Sequence, residues 1–184
     1  MFRYIIVIMD EHPAFERDLL VITGIPGTGK TSYGNKFAGE FAFLHHDLED
    51  QQTQILSRFN ADPARFIEEL LTQQNHVVVT WGFGPDCKRS ESLVQGLRGA
   101  GFKWIWFDGN RPAALREFQK RATVQGRAAA QEIDFYRQMY RIEKSRIVER
   151  LKPIVINSFD DRGQFKPTKE LLAEIRAKIV AVVN

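Results

Sequence analysis

Short apolar runs alternate with longer amphipathic stretches along most of this chain. Five runs have the length and apolar content of buried strands: residues 19–23, 41–45, 76–81, 103–107 and 153–157. This alternation is typical of parallel strands joined by crossover helices. It predicts an α/β fold, a three-layer doubly wound sheet of five parallel strands with helices on both faces.

Helical periodicity marks the segments between these runs. Apolar residues recur at helical spacing in six stretches: residues 30–40, 63–73, 90–99, 112–123, 128–151 and 166–183. Pro63 and Pro112 suit the first turn of their helices, where a missing amide hydrogen removes no hydrogen bond. The stretch 128–151 is the longest of the six, and we expect a helix along it.

The length and apolar content of the chain fit one domain. It has 184 residues, of which 43% are hydrophobic, enough for one buried core. We expect this domain over residues 19–184 and interpret residues 1–18 as an N-terminal extension, either an edge strand or a flexible segment. Translation starting at Met9 is a further interpretation. The opening MFRYIIVIM is shorter than the roughly 20 residues of a membrane span and lacks a secretion-signal cleavage site.

Charge and cysteine content narrow the classes of protein. The chain carries 26 basic and 23 acidic residues, a formal net charge of +3, and no block of lysine or arginine stands out. This balance argues against a dedicated nucleic-acid binder. The single cysteine, Cys87, excludes an internal disulfide and fits a reducing compartment. We therefore expect a cytoplasmic protein without a membrane partner, with a monomer as the default state.

The segment GIPGTGKT, residues 24–31, follows the first apolar run and precedes a helical stretch. It matches G-x-x-x-x-G-K-[ST], a P-loop whose backbone amides converge on phosphate oxygens at the positive end of a helix dipole. We expect Lys30 to reach the β and γ phosphates of ATP, and the Thr31 hydroxyl to bind Mg²⁺. The flanking strand and helix argue against the alternative, a glycine-rich turn with an incidental lysine. The predicted nucleotide contacts are Gly24, Ile25, Pro26, Gly27, Thr28, Gly29, Lys30 and Thr31.

The second apolar run ends in a cluster of polar groups, FLHHDLED. Phosphoryl transfer to an alcohol needs a carboxylate that orients the hydroxyl and accepts its proton, and we assign this role to Asp47. The alternative is that Asp47, Glu49 and Asp50 occupy the first turn of a helix, where carboxylates are favoured. His45 and His46 do not predict a zinc site, because adjacent strand residues point to opposite faces and no partner lies at ligand spacing.

The third apolar run ends VVVTWGFGPD, without the terminal acidic residue that many ATPases use to hold Mg²⁺ through water. Its small and aromatic residues Trp81, Gly82 and Phe83 suit the floor of a site for an organic substrate. Aromatic residues at a strand end also pack in cores, which is the alternative here. We include all three as predicted substrate contacts.

These residues resemble the small P-loop kinases related to shikimate, gluconate and nucleoside monophosphate kinases. The resemblance extends over most of residues 19–183, and the phosphate loop is its most specific part. In shikimate kinases a D-x-D pattern on the second strand places its second aspartate against the substrate hydroxyl, and the matching positions here are His45 and Asp47. A triple glycine follows the third strand in those enzymes. Here that turn is Trp81, Gly82 and Phe83, so the resemblance does not imply shikimate as the substrate.

The same resemblance implies a lid. Those kinases close an arginine-bearing segment over the nucleotide, which implies a small lid at about residues 121–135 with Arg121 and Arg127 at the transferring phosphate. A planar guanidinium suits oxygens that gain charge in the transition state. The alternative for each arginine is a solvated helix face.

Two further groups of contacts follow from the resemblance alone. Arg58 and Arg65 resemble arginines that hold an acidic substrate. Asn157, Ser158 and Phe159 follow the last strand, where these kinases pack the adenine ring. The resemblance therefore implies a substrate site on one side of the phosphate loop and a base site on the other.

Taken together, the residues predict an ATP- and Mg²⁺-dependent phosphotransferase that moves the γ phosphate of ATP to a hydroxyl or phosphate of a small-molecule acceptor. One alternative is a regulatory nucleotide-binding NTPase, although the sequence has no N-K-x-D pattern for reading guanine. Another is a kinase with a larger acceptor, such as an RNA end or, as in zeta-toxin-like proteins, a peptidoglycan precursor. The short region between Asp47 and Gln74 favours a small acceptor.

Overall fold

A parallel sheet of five strands forms the centre of the structure, a computed structural model that describes residues 16–50, 55–82, 87–124 and 131–183. Every strand pairing is parallel, and the spatial order is β2-β3-β1-β4-β5. The prediction of an α/β fold with five parallel strands is confirmed. The strands are β1 (Asp18–Gly24), β2 (Leu44–Asp47), β3 (His76–Thr80), β4 (Lys103–Asp108) and β5 (Ile154–Asn157).

Helices cover both faces of this sheet. In the described residues they are α1 (Lys30–Phe41), α2 (Ile55–Ala61), α3 (Pro63–Gln73), α4 (Cys87–Gly99), α5 (Arg111–Val124), α6 (Gln131–Ser145), α7 (Ile147–Leu151) and α8 (Thr168–Val183). Successive side chains of β1 enter two different cores, because strand residues alternate between faces. Leu19 and Val21 pack with residues of α2 to α7, whereas Leu20 and Ile22 pack with α1 and α8. Each core lies between the sheet and one layer of helices, so the structure has the three layers that the pattern predicts.

The start of β2 lies later than the sequence predicts. The predicted strand at 41–45 overlaps α1, which continues to Phe41. Ala42 closes the helix with a φ of 56° and an N–H bond to Phe37 O, and β2 begins at Leu44. Because alanine rarely adopts a positive φ, the sequence contains no sign of this helix end.

The helix predicted at 128–151 is interrupted. Arg146 has a φ of 50° and separates α6 from α7. The Ser145 hydroxyl accepts a hydrogen bond from Ile147 N–H and donates one to Ile142 O, so it serves backbone groups at the break. The short helix α2 was not predicted from the sequence.

The amino ends of the strands carry a buried charge. Asp18, which the sequence places in the extension, is the first residue of β1, and its carboxylate accepts hydrogen bonds from Arg176 Nη2 at 2.6 Å and Nε at 3.2 Å. His76 Nδ1 lies 3.4 Å from the same carboxylate oxygen. Residues 1–15 lie outside the described residues. No helix in the described part of the chain is long and apolar enough to cross a membrane.

The carboxyl ends of the strands are level with one another. Gly24 pairs with Phe107 and Asp47 pairs with Thr80, and on the far side Asp108 pairs with Asn157. Loops that follow these strands therefore meet at one edge of the sheet, where ligands bind in doubly wound folds. The P-loop, residues 24–31, leaves β1 at the centre of this edge.

Candidate active site

The P-loop is held in a conformation that its glycines permit. Gly24 ends β1 with a φ of 146°, and Gly27 has a φ of 78°. A Cβ at Gly24 would overlap the carbonyl of Phe107, and one at Gly27 would overlap the carbonyl of Ala114 in α5. The loop therefore lies directly against β4 and α5, an approach open only to glycine.

Lys30 is the first residue of α1, and its ammonium is half-buried beside the start of the loop. Lys30 Nζ donates hydrogen bonds to Ile25 O at 3.0 Å and to Gly24 O at 3.3 Å. Burial lowers the pKa of Lys30 from 10.5 to about 8. The carboxylates of Glu49 and Asp47 raise this pKa without offsetting the burial, and Arg121 lowers it further. The ammonium thus lies in a site where a bound anion would stabilise its charge.

Thr31 and Asp47 meet beside the loop. Thr31 Oγ1 donates a hydrogen bond to Asp47 Oδ2 at 2.8 Å, which joins the start of α1 to the end of β2. A hydroxyl and a carboxylate oxygen are ligands that suit Mg²⁺, which takes one or two protein oxygens and completes its shell with phosphate and water. Across the described ranges no group of three His, Cys, Asp or Glu side chains is placed to hold a metal ion. The donor set fits a metal that arrives with a nucleotide.

Glu49 lies two residues beyond Asp47 and shares its surroundings. The backbone N–H of Glu49 donates to Asp47 Oδ1 at 3.0 Å, so the turn after β2 holds both carboxylates. A Cβ at Gly82 would overlap the Glu49 carboxylate, and glycine at this position leaves room for it at the end of β3. The arrangement places a second carboxylate next to the loop, on the side of β2 and β3.

Lys30, Thr31 and Glu49 line one cavity of about 400 Å³ at the carboxyl edge of the sheet, and Asp47 lies behind it, bonded to Thr31. The P-loop contributes Pro26, Gly27, Gly29, Lys30 and Thr31, followed by Ser32. The remaining described lining residues are Glu49, Gly82, Glu117, Phe118, Lys120, Arg121, Gln138 and Phe165. A volume of this size is in the range of small-molecule sites, which are about 300–1,000 Å³.

Solved structures identify the fold that carries this cavity. No protein-family model and no curated protein sequence matches the chain. A shikimate kinase from Bacteroides thetaiotaomicron superposes with a TM-score of 0.53 at 20% identity, over 87% of this chain and 98% of that chain. A gluconokinase from Sinorhizobium meliloti 1021 gives 0.52 at 16% identity, over 91% and 94%. The chain has the fold of the small P-loop kinases.

The P-loop kinase fold extends beyond proteins that are named as kinases. A tunicamycin resistance protein from Deinococcus radiodurans superposes with a TM-score of 0.55 at 13% identity, over 89% of this chain and 95% of that chain. At such identities the likeness concerns the fold, and the chemistry has to be argued from the side chains of the site.

Several predicted residues lie in the cavity of this P-loop kinase fold, and others lie elsewhere. Lys30, Thr31, Gly82 and Arg121 line it, and Arg121 places its guanidinium 5.7 Å from the Phe118 ring at the end of α5. Trp81 is 7% exposed and packs in the core beneath the edge of the sheet. The predicted contacts Phe83 and Arg127, and residues 125–130 of the predicted lid, lie outside the described residues.

Arg58 and Arg65 belong to a different surface. Both guanidinium groups pair with Glu69, at 2.5 Å and 3.2 Å. They line a separate cavity of about 280 Å³ with Asp62 and Phe66. The structure does not bring these arginines together with the P-loop.

The two histidines of β2 lie on opposite faces, as their adjacency predicts. His45 points towards α1, where its ring nitrogens lie 2.8 Å from Asn35 Oδ1 and 2.8 Å from Thr80 Oγ1. His46 packs on the other side, with its ring 6.1 Å from that of Phe66. Burial lowers the pKa of both imidazoles. Neither histidine lines the cavity.

Two of the three predicted base contacts at the end of β5, Ser158 and Phe159, are turned inward, whereas Asn157 is exposed. Asn157 Oδ1 accepts a hydrogen bond from Phe159 N–H at 3.0 Å, and Ser158 and Phe159 are buried. The residue of this loop that lines the cavity is Phe165, which pairs with Phe159 across a turn. The sequence DDRG between the two phenylalanines is a turn pattern that could have identified this partner. The lining residues Glu117, Phe118, Lys120 and Gln138 have no comparable sequence pattern.

Proposed function

We propose that this chain is an ATP- and Mg²⁺-dependent phosphotransferase that moves the γ phosphate of ATP to a hydroxyl or phosphate of a small molecule. The observation that carries the proposal is a single cavity in which a complete P-loop, Arg121 and the carboxylate of Glu49 converge. A shikimate kinase and a gluconokinase share the fold and support the same class of reaction.

The P-loop holds the triphosphate in this proposal. Its backbone amides and the amino end of α1 attract phosphate oxygens. The ammonium of Lys30 lies against the same loop and adds a positive charge there. Thr31 and Asp47 hold Mg²⁺, which neutralises charge on the phosphate oxygens when bound. Asp47 therefore takes the metal side of the site rather than the acceptor side that the sequence suggested.

Glu49 takes the acceptor side. Asp47 and Glu49 have the same two-residue spacing as the D-x-D pattern of shikimate kinases, displaced by two positions from the alignment with His45 and Asp47. The contact between Asp47 and Thr31 favours this displaced alignment, and so does the position of His45 against α1. The Glu49 carboxylate then orients the acceptor hydroxyl and accepts its proton as the new phosphorus–oxygen bond forms. The bond between the γ phosphorus and the oxygen that bridges it to the β phosphate breaks in the same step, and ADP leaves.

Arg121 completes the charge balance at the transferring group. Its guanidinium lines the cavity at the last turn of α5, where the predicted lid begins. Positive charge at this point stabilises the equatorial oxygens of the phosphoryl group, which gain charge in the transition state.

Acceptor-dependent release of ADP tests the proposal. Candidate acceptors come from a thermal-shift screen of metabolites with Mg²⁺ and a non-hydrolysable ATP analogue, because a ligand of the native state raises its stability. Each candidate is then added to the protein with Mg-ATP, and the expected result is faster ADP release with one class of acceptor. Intact ATP binding with unchanged turnover over a broad acceptor panel would count against a phosphotransferase.

A further inference from the structure

The imidazole of His45 connects three elements next to the contact between Thr31 and Asp47. Its Nδ1 lies 2.8 Å from Asn35 Oδ1 on α1, and its Nε2 lies 2.8 Å from Thr80 Oγ1 on β3. An amide oxygen only accepts hydrogen bonds, so Nδ1 donates to Asn35 and Nε2 accepts from the Thr80 hydroxyl. Both ring nitrogens of one side chain therefore link β2 to its neighbours.

Two hydrogen bonds join α1 to β2, one behind the other. Thr31 and Asn35 are four positions apart on the helix, so they share a face. His45 and Asp47 are two positions apart on the strand and share a face as well. The bond between Thr31 and Asp47 lies at the carboxyl edge, and the bond from His45 is the next one into the fold. The inner bond therefore fixes the separation of helix and strand behind the outer one.

Thr80 anchors this arrangement to the sheet. It is fully buried on β3 and pairs with Asp47 in the strand register. Its hydroxyl bonds to His45, and its carbonyl accepts a hydrogen bond from Leu48 N–H at 3.0 Å. The end of β2 is thus held from β3 on both sides of Asp47.

The helix leaves room for the imidazole at Gly34. A Cβ at Gly34 would overlap the His45 ring, at 2.6 Å from Cδ2 and 2.7 Å from Cε1. Glycine in a helix interior costs about 1 kcal/mol relative to alanine. Only glycine at this position lets the ring lie against the helix backbone. Gly39, the other glycine of α1, would place a Cβ in open space.

We propose that His45 is a positioning residue of the magnesium site, which holds Thr31 on α1 and Asp47 on β2 at the separation that the metal requires. The inference rests on the proposed metal role of these two residues. Thr31 Oγ1 and Asp47 Oδ2 are 2.8 Å apart. Adjacent oxygens around an octahedral Mg²⁺ with bonds of about 2.0–2.1 Å are about 2.9 Å apart. Because Mg²⁺ tolerates little distortion, a shift of α1 against β2 lowers its affinity.

The gain in nucleotide affinity that Mg²⁺ provides tests this role. Calorimetric titration with a non-hydrolysable ATP analogue gives one dissociation constant in Mg²⁺ and one in EDTA, and their ratio is the gain. Gly34→Ala puts a methyl group where the imidazole lies, and His45→Ala removes the imidazole. We expect each variant to lower the gain roughly tenfold, as is typical of residues that orient metal ligands, and to keep the constant in EDTA.

Gly39→Ala and His46→Ala are the matched controls. Gly39→Ala makes the same change in the same helix where no side chain is displaced, and His46→Ala removes the imidazole on the opposite face of β2. Both should keep the wild-type gain. In the double variant, Gly34→Ala should add nothing to His45→Ala, because the new methyl group no longer meets a ring.

Thermal unfolding shows which variants are folded, and either Gly34→Ala or His45→Ala suffices for the test. An unchanged gain in these variants, or an equal loss in the controls, would overturn the positioning role. Parallel weakening of both dissociation constants would overturn it too, because the effect would then not depend on the metal. A wild-type protein with no gain from Mg²⁺ would instead reject the metal role of Thr31 and Asp47, and the inference with it.

Discussion

Each edge of the parallel sheet carries a charged side chain that is withdrawn from solvent, fully for Asp18 and partly for Lys30, and the two charges have different kinds of partner. At the amino edge the Asp18 carboxylate is 2% exposed and pairs with Arg176 at 2.6 Å. At the carboxyl edge the Lys30 ammonium has carbonyl oxygens as its partners, at 3.0 Å and 3.3 Å. No carboxylate in the described residues lies within ion-pair distance of Lys30, and burial lowers its pKa to about 8.

The difference separates a charge that stabilises the fold from one that is kept for a ligand. An opposite charge at hydrogen-bonding distance satisfies Asp18 inside the protein, where an unpaired carboxylate would be costly. Lys30 lies near Asp47 and Glu49 without pairing with either, so an anion brought by a ligand would be its strongest partner. Substitutions at the amino edge should therefore act on stability, and those at the carboxyl edge on phosphate chemistry.

The largest expected effect is that of Lys30→Met on turnover. Removing the ammonium leaves the phosphate oxygens without a preorganised positive charge, and we expect kcat to fall by about a thousandfold. The free energy of unfolding should stay the same or rise, because a partly buried charge without an ion-pair partner is replaced by an apolar chain of similar length. Lys103→Met, at an exposed position at the amino edge, is the matched control. A Lys30→Met protein that lost stability but retained its kcat would contradict the claim that Lys30 is kept for phosphate chemistry.

Within the carboxyl edge, Glu49→Gln and Asp47→Asn should differ from each other. Glu49→Gln removes the proposed proton acceptor, so we expect kcat to fall by roughly a hundredfold or more while Mg-ATP affinity is kept. Asp47→Asn weakens the proposed metal contact at Thr31 and should lower Mg-ATP affinity. Single-turnover rates and calorimetric titrations measure the two effects. If Asp47→Asn blocked transfer with Mg-ATP affinity intact, Asp47 would return to the acceptor side.

Arg176→Met is the corresponding test at the amino edge. It leaves the Asp18 carboxylate buried without its guanidinium, and we expect a loss of about 3 kcal/mol in the free energy of unfolding. Nucleotide affinity should not change. Lys178→Met is the matched control on the same helix, since its exposed pair with Glu174 contributes about 0–1 kcal/mol. Equal losses in both variants would show that the buried pair contributes no more to the free energy of unfolding than the exposed pair. Asp18→Leu combined with Arg176→Met should recover much of the stability.

At the carboxyl edge, the positions of the strands and the phosphate loop were easier to predict from the sequence than the roles of the side chains. Buried strands and the phosphate loop are local patterns, so the five strands and the position of GIPGTGKT follow from short windows of residues. The contact of Thr31 with Asp47 depends on how β2 and α1 pack, which no window contains. The sequence predicts Asp47 on the acceptor side, and the proposal of a metal role rests on its contact with Thr31.

Local sequence patterns also fail to predict the contacts at the amino edge. Asp18 and Arg176 are far apart in the chain, and no local pattern predicts that they pair. The helix boundaries at Ala42 and Arg146 were missed for a different reason, because both residues adopt a positive φ without being glycine. Sequence propensity disfavours these conformations and therefore predicts a continuous element across them.

The smallest expected effect is a pH dependence that only the carboxyl edge should show. The ammonium form of Lys30 binds phosphate, and with a pKa of about 8 its protonated fraction falls about tenfold between pH 7 and pH 9, so Mg-ATP affinity should fall by the same factor. Stability should change in the opposite sense. Between about pH 8 and the unfolded value of 10.5, the unfolded chain holds the Lys30 proton and the folded one does not, so the free energy of unfolding rises with pH.

The Lys30→Met variant isolates the contribution of Lys30 to the pH dependence of Mg-ATP affinity and of the free energy of unfolding. The difference in unfolding free energy between wild type and variant should become more favourable to wild type by at most about 1.4 kcal/mol per pH unit above pH 8. The fall in Mg-ATP affinity over the same interval should be absent from the variant. Denaturant titrations and calorimetry from pH 7 to pH 10 supply both measurements, with Lys103→Met expected to follow wild type. Parallel curves for wild type and Lys30→Met would mean that Lys30 keeps an ordinary pKa in the folded protein. The pKa of Lys30 at the carboxyl edge would then be no different from that of the exposed lysines.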